Sequence, residues 1–233
     1  MGADQDVRLA LLASPLLGPA VWAQVAERLT LRGWDVLVPP PYGEVTSPAD
    51  VLDLLSAALP LNDPLVLVPH SNVGLYVAAL AAARNVRGVG FVDAGLPSDD
   101  PTTPVAPAAL REFLASLAGQ DTLLPVWTRW WSDDDLTGLF PDARTRAAVE
   151  AEQIRLPLAY FDAVVPSPPG WQQLPAAYLA FGDTYEAERA TAERLGWPVE
   201  TLAGRHLHQL TDPEGVCAAL EGLLGRLGFA QPR

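Results

Sequence analysis

The residues able to do covalent or acid–base chemistry are few, and their positions are informative. Ser71 ends the apolar run LVLVPH (residues 65–70) and opens the small-residue stretch NVGLYVAALAAARN. A serine on a sharp strand-to-helix turn presents its hydroxyl as a nucleophile, as in the G-x-S-x-G pattern; a serine in that place can also cap an ordinary helix. Here the five positions read Pro69-His70-Ser71-Asn72-Val73, with a glycine one place late at Gly74. A serine hydroxyl is a weak nucleophile and needs a base within hydrogen-bond reach, itself oriented by a third group. Three histidines are available. On extended backbone His70 points away from Ser71, which makes it a packing or hydrogen-bonding residue, whereas His206 and His208 follow the last apolar run. For the third group, Asp93 sits in VGFVDAG, 22 residues after Ser71. An acid inside an apolar run is costly to bury unless something pairs with it. Asp183 and Glu186 instead occupy a polar helix start, where carboxylates are ordinary. Asp93 is therefore favoured, with Glu186 and Asp183 as alternatives.

Such a turn needs a strand before it and a helix after it. Six runs have the length of buried strands: residues 8–14, 35–40, 65–70, 89–95, 176–182 and 199–204. Helical patterns separate most of them, at residues 20–33, 47–59, 72–85 and 185–196, and a last one begins near Asp212. Gly33 and Gly196 stand in C-cap positions, and Pro48 follows the N-cap candidate Ser47. Near-continuous apolar strands alternating with helices predict an α/β fold, a mostly parallel sheet with helices on both faces. In that architecture ligands gather at the carboxyl ends of the strands. Gly74 and Ala78 are expected to let the helix after Ser71 pack closely on the strand it leaves. The alternation fails over residues 97–173, which contain amphipathic helical patterns, LLPVWTRWWSDDDLTGLF among them, and no clean strand, framed by PSDDPTTPVAP and VVPSPPG. Long connections with their own structure are usually functional. The reading is an α/β core from residues 1–96 and 174–233, with a helical cap insertion at 97–173.

Three blocks in order carry a family resemblance. PHSNVG resembles the GHSMGG elbow of the α/β-hydrolase superfamily. LLASPLLGPAVWAQVAERLTLRGWDVLVPPPYG is similar to the opening strand, oxyanion loop, first helix and second strand of small plant-type methylesterases and their bacterial relatives. GRHLHQLTDPEGVCAAL is similar to their terminal histidine loop. The resemblance covers about two thirds of the chain and implies an α/β-hydrolase fold, a serine esterase activity and no cofactor. Alignment through Asp212-Pro213-Glu214 puts His206 at the base, with His208 as its alternative, lining the pocket or supporting the loop. Asp93 at the end of the fourth strand resembles the migrated acid of pancreatic-type lipases, whereas the commoner place after the fifth strand falls near Glu186.

Acyl transfer needs two N–H donors for the developing oxyanion. One is implied at Asn72, after the nucleophile. The other belongs to the residue after a His-Gly pair, here Ala13-Ser14, and that residue is Pro15, which has no N–H. Either Leu16 donates, or the Ser14 hydroxyl substitutes, or the hole is half-formed. A hydroxyl there resembles the hydroxynitrile lyases of the superfamily, but those also use a lysine where Leu207 stands. The implied activity is hydrolysis of a small, largely apolar ester, thioester or lactone through an acyl-enzyme. The alternatives are a lyase, cyclase or acyl-transfer reaction in a biosynthetic pathway, or an inactive binding protein on the same fold. Trp127, Trp130 and Trp131 of WTRWW are candidates for the pocket wall.

Composition excludes several other classes. The net charge of -13, from 15 basic and 28 acidic residues, repels nucleic acid and anionic membranes and leaves a small-molecule substrate as the expected partner. No metal-ligand spacing or Gly-rich phosphate loop is present, and oligomeric state is left open. SDDD at 132–135 reads as a solvated helix start capped by Ser132. The lone Cys217 reads as a buried structural thiol, with no disulfide to suggest an oxidising compartment. The N-terminus lacks a basic segment before its apolar run, and Gly2 lacks the Ser or Thr that acylation requires, Asp6 standing in its place. With no run near about 18 apolar residues, the expectation is a cytoplasmic protein.

Overall fold

The computed structural model describes residues 7–120 and 122–230, so Gly2 and Asp6 lie outside it. All six anticipated strands form one parallel sheet: β1 (Arg8–Leu12), β2 (Asp35–Leu37), β3 (Leu65–Ser71), β4 (Val86–Ala94), β7 (Ala176–Phe181) and β8 (Val199–Leu202), in the order β2-β1-β3-β4-β7-β8. Two further strands, β5 (Thr102–Pro104) and β6 (Val164–Pro166), pair antiparallel outside it. The central strands β3 and β7 are buried at every residue, as continuous apolar runs require when both faces are covered, whereas the edge strand β8 is half open.

The helices are α1 (Ala23–Leu31), α2 (Pro48–Ala58), α3 (Val77–Ala83), α4 (Ala108–Leu117), α5 (Asp133–Leu136), α6 (Ala143–Glu152), α7 (Leu158–Asp162), α8 (Glu186–Arg194), α9 (His208–Thr211) and α10 (Pro213–Arg226). Strand alternation shows which face each packs on. Leu220 and Leu224 of α10 meet Gly90 of β4, and α1 packs beside α10. The next residue, Phe91, points the other way and stacks on Trp197 at 5.7 Å, with Trp171 edge-on to both. α2 and α3 pack together, and α3 also meets the turn holding Trp171. Cys217 is buried, and desolvation pushes its thiol up to about 11, in keeping with a structural role. Among the described residues no helix is long and apolar enough to cross a membrane.

The structure departs from the sequence reading in two places. Residues 72–85 are not one helix: a 3-10 turn, Asn72–Tyr76, precedes α3. The region 97–173 is also not purely helical. Besides α4 to α7 it contains the β5–β6 ladder, whose strands come from the Pro-rich framing segments, where the sequence pattern shows no clean strand. Proline tolerates such short, two-stranded edges because few N–H donors are needed. Nor is the WTRWW stretch a helix, because Pro125 precedes it and only a 3-10 turn forms, Trp127–Arg129.

α2 starts as its sequence indicates. Ser47 Oγ accepts from Asp50 N, and the Asp50 carboxylate accepts from the N–H and hydroxyl of Thr46 and from Ser47 N. The Thr46 N–H contributes most to holding the Asp50 carboxyl down, at about 2 from an ordinary 3.8. A depressed acid contributes stability that is present above its unfolded pKa and lost as pH falls through the folded one. Thermal melts of wild type and Asp50→Asn should therefore differ at pH 5 and above, with wild type the more stable, and converge as pH falls towards 2. A difference that persists at pH 2 would contradict this cap.

Candidate active site

Ser71 ends β3 with φ 66° and ψ -140°, a conformation that a non-glycine residue adopts only under compulsion. Such strain costs about 1–3 kcal/mol and persists only where surrounding packing imposes it. The packing here is the close approach of the following turn to β4: a Cβ on Gly74 would overlap the Gly95 carbonyl oxygen and press on Ala94. This explains why the glycine falls one place later than the G-x-S-x-G pattern has it. It also corrects the expected contact, since Gly74 packs against the neighbouring strand's end rather than the strand it leaves.

β4 is irregular at the same level. His70 pairs with Val92 and Ser71 with Ala94, so Asp93 is an extra residue between two pairs, with φ 40°. A bulge re-aims a side chain that a regular strand would send elsewhere. Asp93 is fully buried, and both of its carboxylate oxygens are occupied. Oδ1 accepts from Phe181 N at 3.0 Å, and Oδ2 accepts from His206 Nδ1 at 2.6 Å. With its proton on Nδ1, His206 presents Nε2 to the Ser71 hydroxyl at 3.0 Å. Ser71, His206 and Asp93 are thus joined in one hydrogen-bonded chain.

His206 lies in the loop after β8, and its ring is held from behind. The His70 ring stacks on it at 4.7 Å, and His70 Nε2–H donates to the His206 carbonyl at 2.8 Å. His70 is thus a packing and hydrogen-bonding residue, as expected, but its partner is the backbone of His206. Burial, and then the His206 charge, push the His70 pKa well below 6.5.

The remaining candidates sit elsewhere. His208 does not line the pocket; it lies against Gly204, with Nδ1 3.2 Å from Thr211 Oγ1 and the ring edge-on to Phe181. Glu186 is exposed at the start of α8, 3.9 Å from Arg189, and Asp183 is exposed at the cavity's edge without touching His206. A helix start leaves both acids solvated, whereas the bulge at Asp93 drives its carboxylate inward. Ser14 is buried and does not line the cavity, because its hydroxyl accepts from Leu16 N at 3.2 Å within its own turn. Leu16 lines the cavity with its amide so engaged.

A cavity of about 1040 Å³ opens over Ser71. Asn72, Leu16, Trp127, Trp130, Trp131 and Phe161 line it, so the tryptophans are wall as well as anchor. Trp130 donates to Pro125 O at 2.8 Å, and the Trp127 ring lies 6.2 Å from that of His206. The insertion also grips the nucleophile turn. Asn72 Nδ2 donates to Val105 O at 3.3 Å, and Tyr160 donates to Asn72 Oδ1 at 3.4 Å while Tyr76 backs it at 2.5 Å. Several polar residues of the wall were missed, among them Tyr185, whose hydroxyl lies 3.4 Å from Ser71 Oγ. Only its place just beyond a strand's carboxyl end could have flagged it.

No protein-family model matches the chain, and no curated protein does. Solved structures do resemble it. One is an extracellular α/β-hydrolase from a Paenibacillus species, described as sharing structural and functional homology with tobacco salicylic acid binding protein 2. It has a TM-score of 0.71 at 15% identity, over 93% of this chain and 98% of that one. Tomato methylketone synthase I with 2-tridecanone gives 0.68 at 16%, over 95% and 98%. Polyneuridine aldehyde esterase gives 0.63 at 17%, over 92% and 97%. The likeness is one of fold: this chain has the α/β-hydrolase fold.

Gly74→Ala should lower stability to urea by about 1–3 kcal/mol, the range for overpacking, because the added methyl must push the nucleophile turn off Gly95. Unchanged unfolding would show that this approach is slack.

Proposed function

We propose that this chain is a serine hydrolase acting on a largely apolar ester, thioester or lactone. The observation that carries the reading is the continuous contact from Ser71 Oγ through His206 to a buried Asp93, at 3.0 and 2.6 Å, beneath an aromatic-walled cavity. His206 takes the proton of Ser71 as Oγ attacks the carbonyl carbon. Asp93 holds the imidazole tautomer and stabilises the imidazolium. The tetrahedral intermediate collapses as His206 protonates the leaving alcohol or thiol, and water then releases the acid by the reverse sequence. The Asn72 N–H, which follows the nucleophile, serves the oxyanion. A cavity of about 1040 Å³ favours a substrate of greater bulk than the small ester suggested by the sequence. A cytoplasmic setting for a small-molecule substrate belongs to the same proposal, supported by the lone buried thiol.

A second reading, non-hydrolytic chemistry on the same residues, is favoured by one observation. Pro15 has no N–H, and that of Leu16 is already taken by Ser14. A lyase or cyclase that builds no oxyanion needs neither.

A panel of nitrophenyl esters of increasing chain length should be turned over by wild type and by Ser71→Ala only at background. Asp93→Asn should lose about 10⁴ in kcat through the wrong histidine tautomer. Fluorophosphonate labelling of Ser71 without ester turnover would favour the second reading, and absence of both would remove the hydrolase.

A further inference from the structure

The oxyanion site is short of a donor on the β1 side, and a hydroxyl approaches from the other side. Gly182 turns the chain at the end of β7 with φ 66°, packed so tightly that a Cβ there would lie 2.7 Å from Gly204 O in the histidine loop. Three residues on, Tyr185 lies beside Gly95, with its Cε1 3.9 Å from where a Cβ on that glycine would stand, an ordinary contact distance. The phenol ends 3.4 Å from Ser71 Oγ, with its ring 5.6 Å from that of His206, and it forms part of the cavity wall.

We propose that Tyr185 is a catalytic residue that donates a hydrogen bond to the substrate's carbonyl oxygen as it becomes an oxyanion, beside the Asn72 N–H. It thereby replaces the donor that Pro15 cannot supply. The role rests on the hydrolase reading above. When Oγ attacks, the substrate carbon stops one bond length from it and the oxygen one bond further. A hydroxyl 3.4 Å from Oγ lies within reach of that oxygen when the carbonyl is seated on its side, at the roughly 2.7–3.1 Å that an oxyanion donor needs. The phenol keeps its proton throughout, so no bond is made or broken at Tyr185. Burial raises its pKa above the ordinary 10, which keeps it a neutral donor across the working range. A tyrosine suits the task because its ring is rigid and its hydroxyl can rotate towards the charge as it develops.

The test compares wild type, Tyr185→Phe and Tyr185→Ala on the best nitrophenyl ester, with a trifluoromethyl ketone of matching chain as the oxyanion-forming probe. Tyr185→Phe keeps the ring. Loss of one oxyanion donor predicts a fall of about 100- to 1,000-fold in kcat, KM within about threefold, and a parallel fall in affinity for the ketone. If wild type is active and Tyr185→Phe stays within threefold of it while Tyr185→Ala fails, the ring merely packs and this inference is overturned. A kcat loss with unchanged ketone affinity also overturns it, because the phenol then acts on Ser71 or His206 instead. Wild type inert to both the esters and a fluorophosphonate overturns the hydrolase reading itself, and this inference with it.

Discussion

The arrangement depends on a carboxylate in a place where water cannot reach it. An ionised acid buried without partners carries a penalty of several kcal/mol, so Asp93 is tolerable only with both oxygens satisfied. One oxygen is bonded by the Phe181 N–H of the adjacent strand and the other by the imidazole of His206. Those two bonds tie the ends of β4 and β7 to the loop that follows β8. Asp93, His206 and the strand ends are therefore held together by one electrostatic requirement. The bulge at Asp93 and the left-handed Ser71 sit at the same level of the sheet, where β3 and β4 end.

The insertion holds this edge of the sheet from several directions. Glu152 of α6 accepts from Ala20 N at 2.5 Å, steadying the turn just beyond Pro15, and Gly18 admits its side chain closely. Val105 and Tyr160 bracket Asn72, and the guanidinium of Arg205, beside His206, donates to the Asp135 carbonyl at 2.6 Å. The loop after β1, the turn after Ser71 and the loop holding His206 each carry a hydrogen bond to the same inserted segment. The aromatic residues of that segment then close the cavity above Ser71, so the segment that shapes the pocket also braces the groups beneath it.

Much of the fold was legible because its signals are local. Continuous apolar runs mark buried strands and end at turns, and all six were found, with ends shifted by a few residues. Asp93 was legible for a related reason: a charge within such a run is an anomaly that calls for a partner. The order of Ser71, Asp93 and His206, and the gap at Pro15, could also be read directly. The strands β5 and β6 were missed because three-residue segments rich in proline carry no periodicity. WTRWW was read as helical because periodicity cannot show that a turn beside Pro125 aims three indoles into one space.

What the sequence determined by itself was the succession of buried and exposed stretches, and hence the layered sheet with a serine at one strand's carboxyl end. Those properties depend on neighbours along the chain. Which histidine comes within bonding distance of Ser71, and which carboxylate within bonding distance of that histidine, depends on the tertiary structure, which brings His206 and Asp93 together there. The engagement of Leu16 N by Ser14, the stacking of His70 on His206 and the reach of Tyr185 to Ser71 were decided only by packing. Hydrogen bonds act over about 3 Å, and groups more than a hundred residues apart come that close only when a whole core has folded.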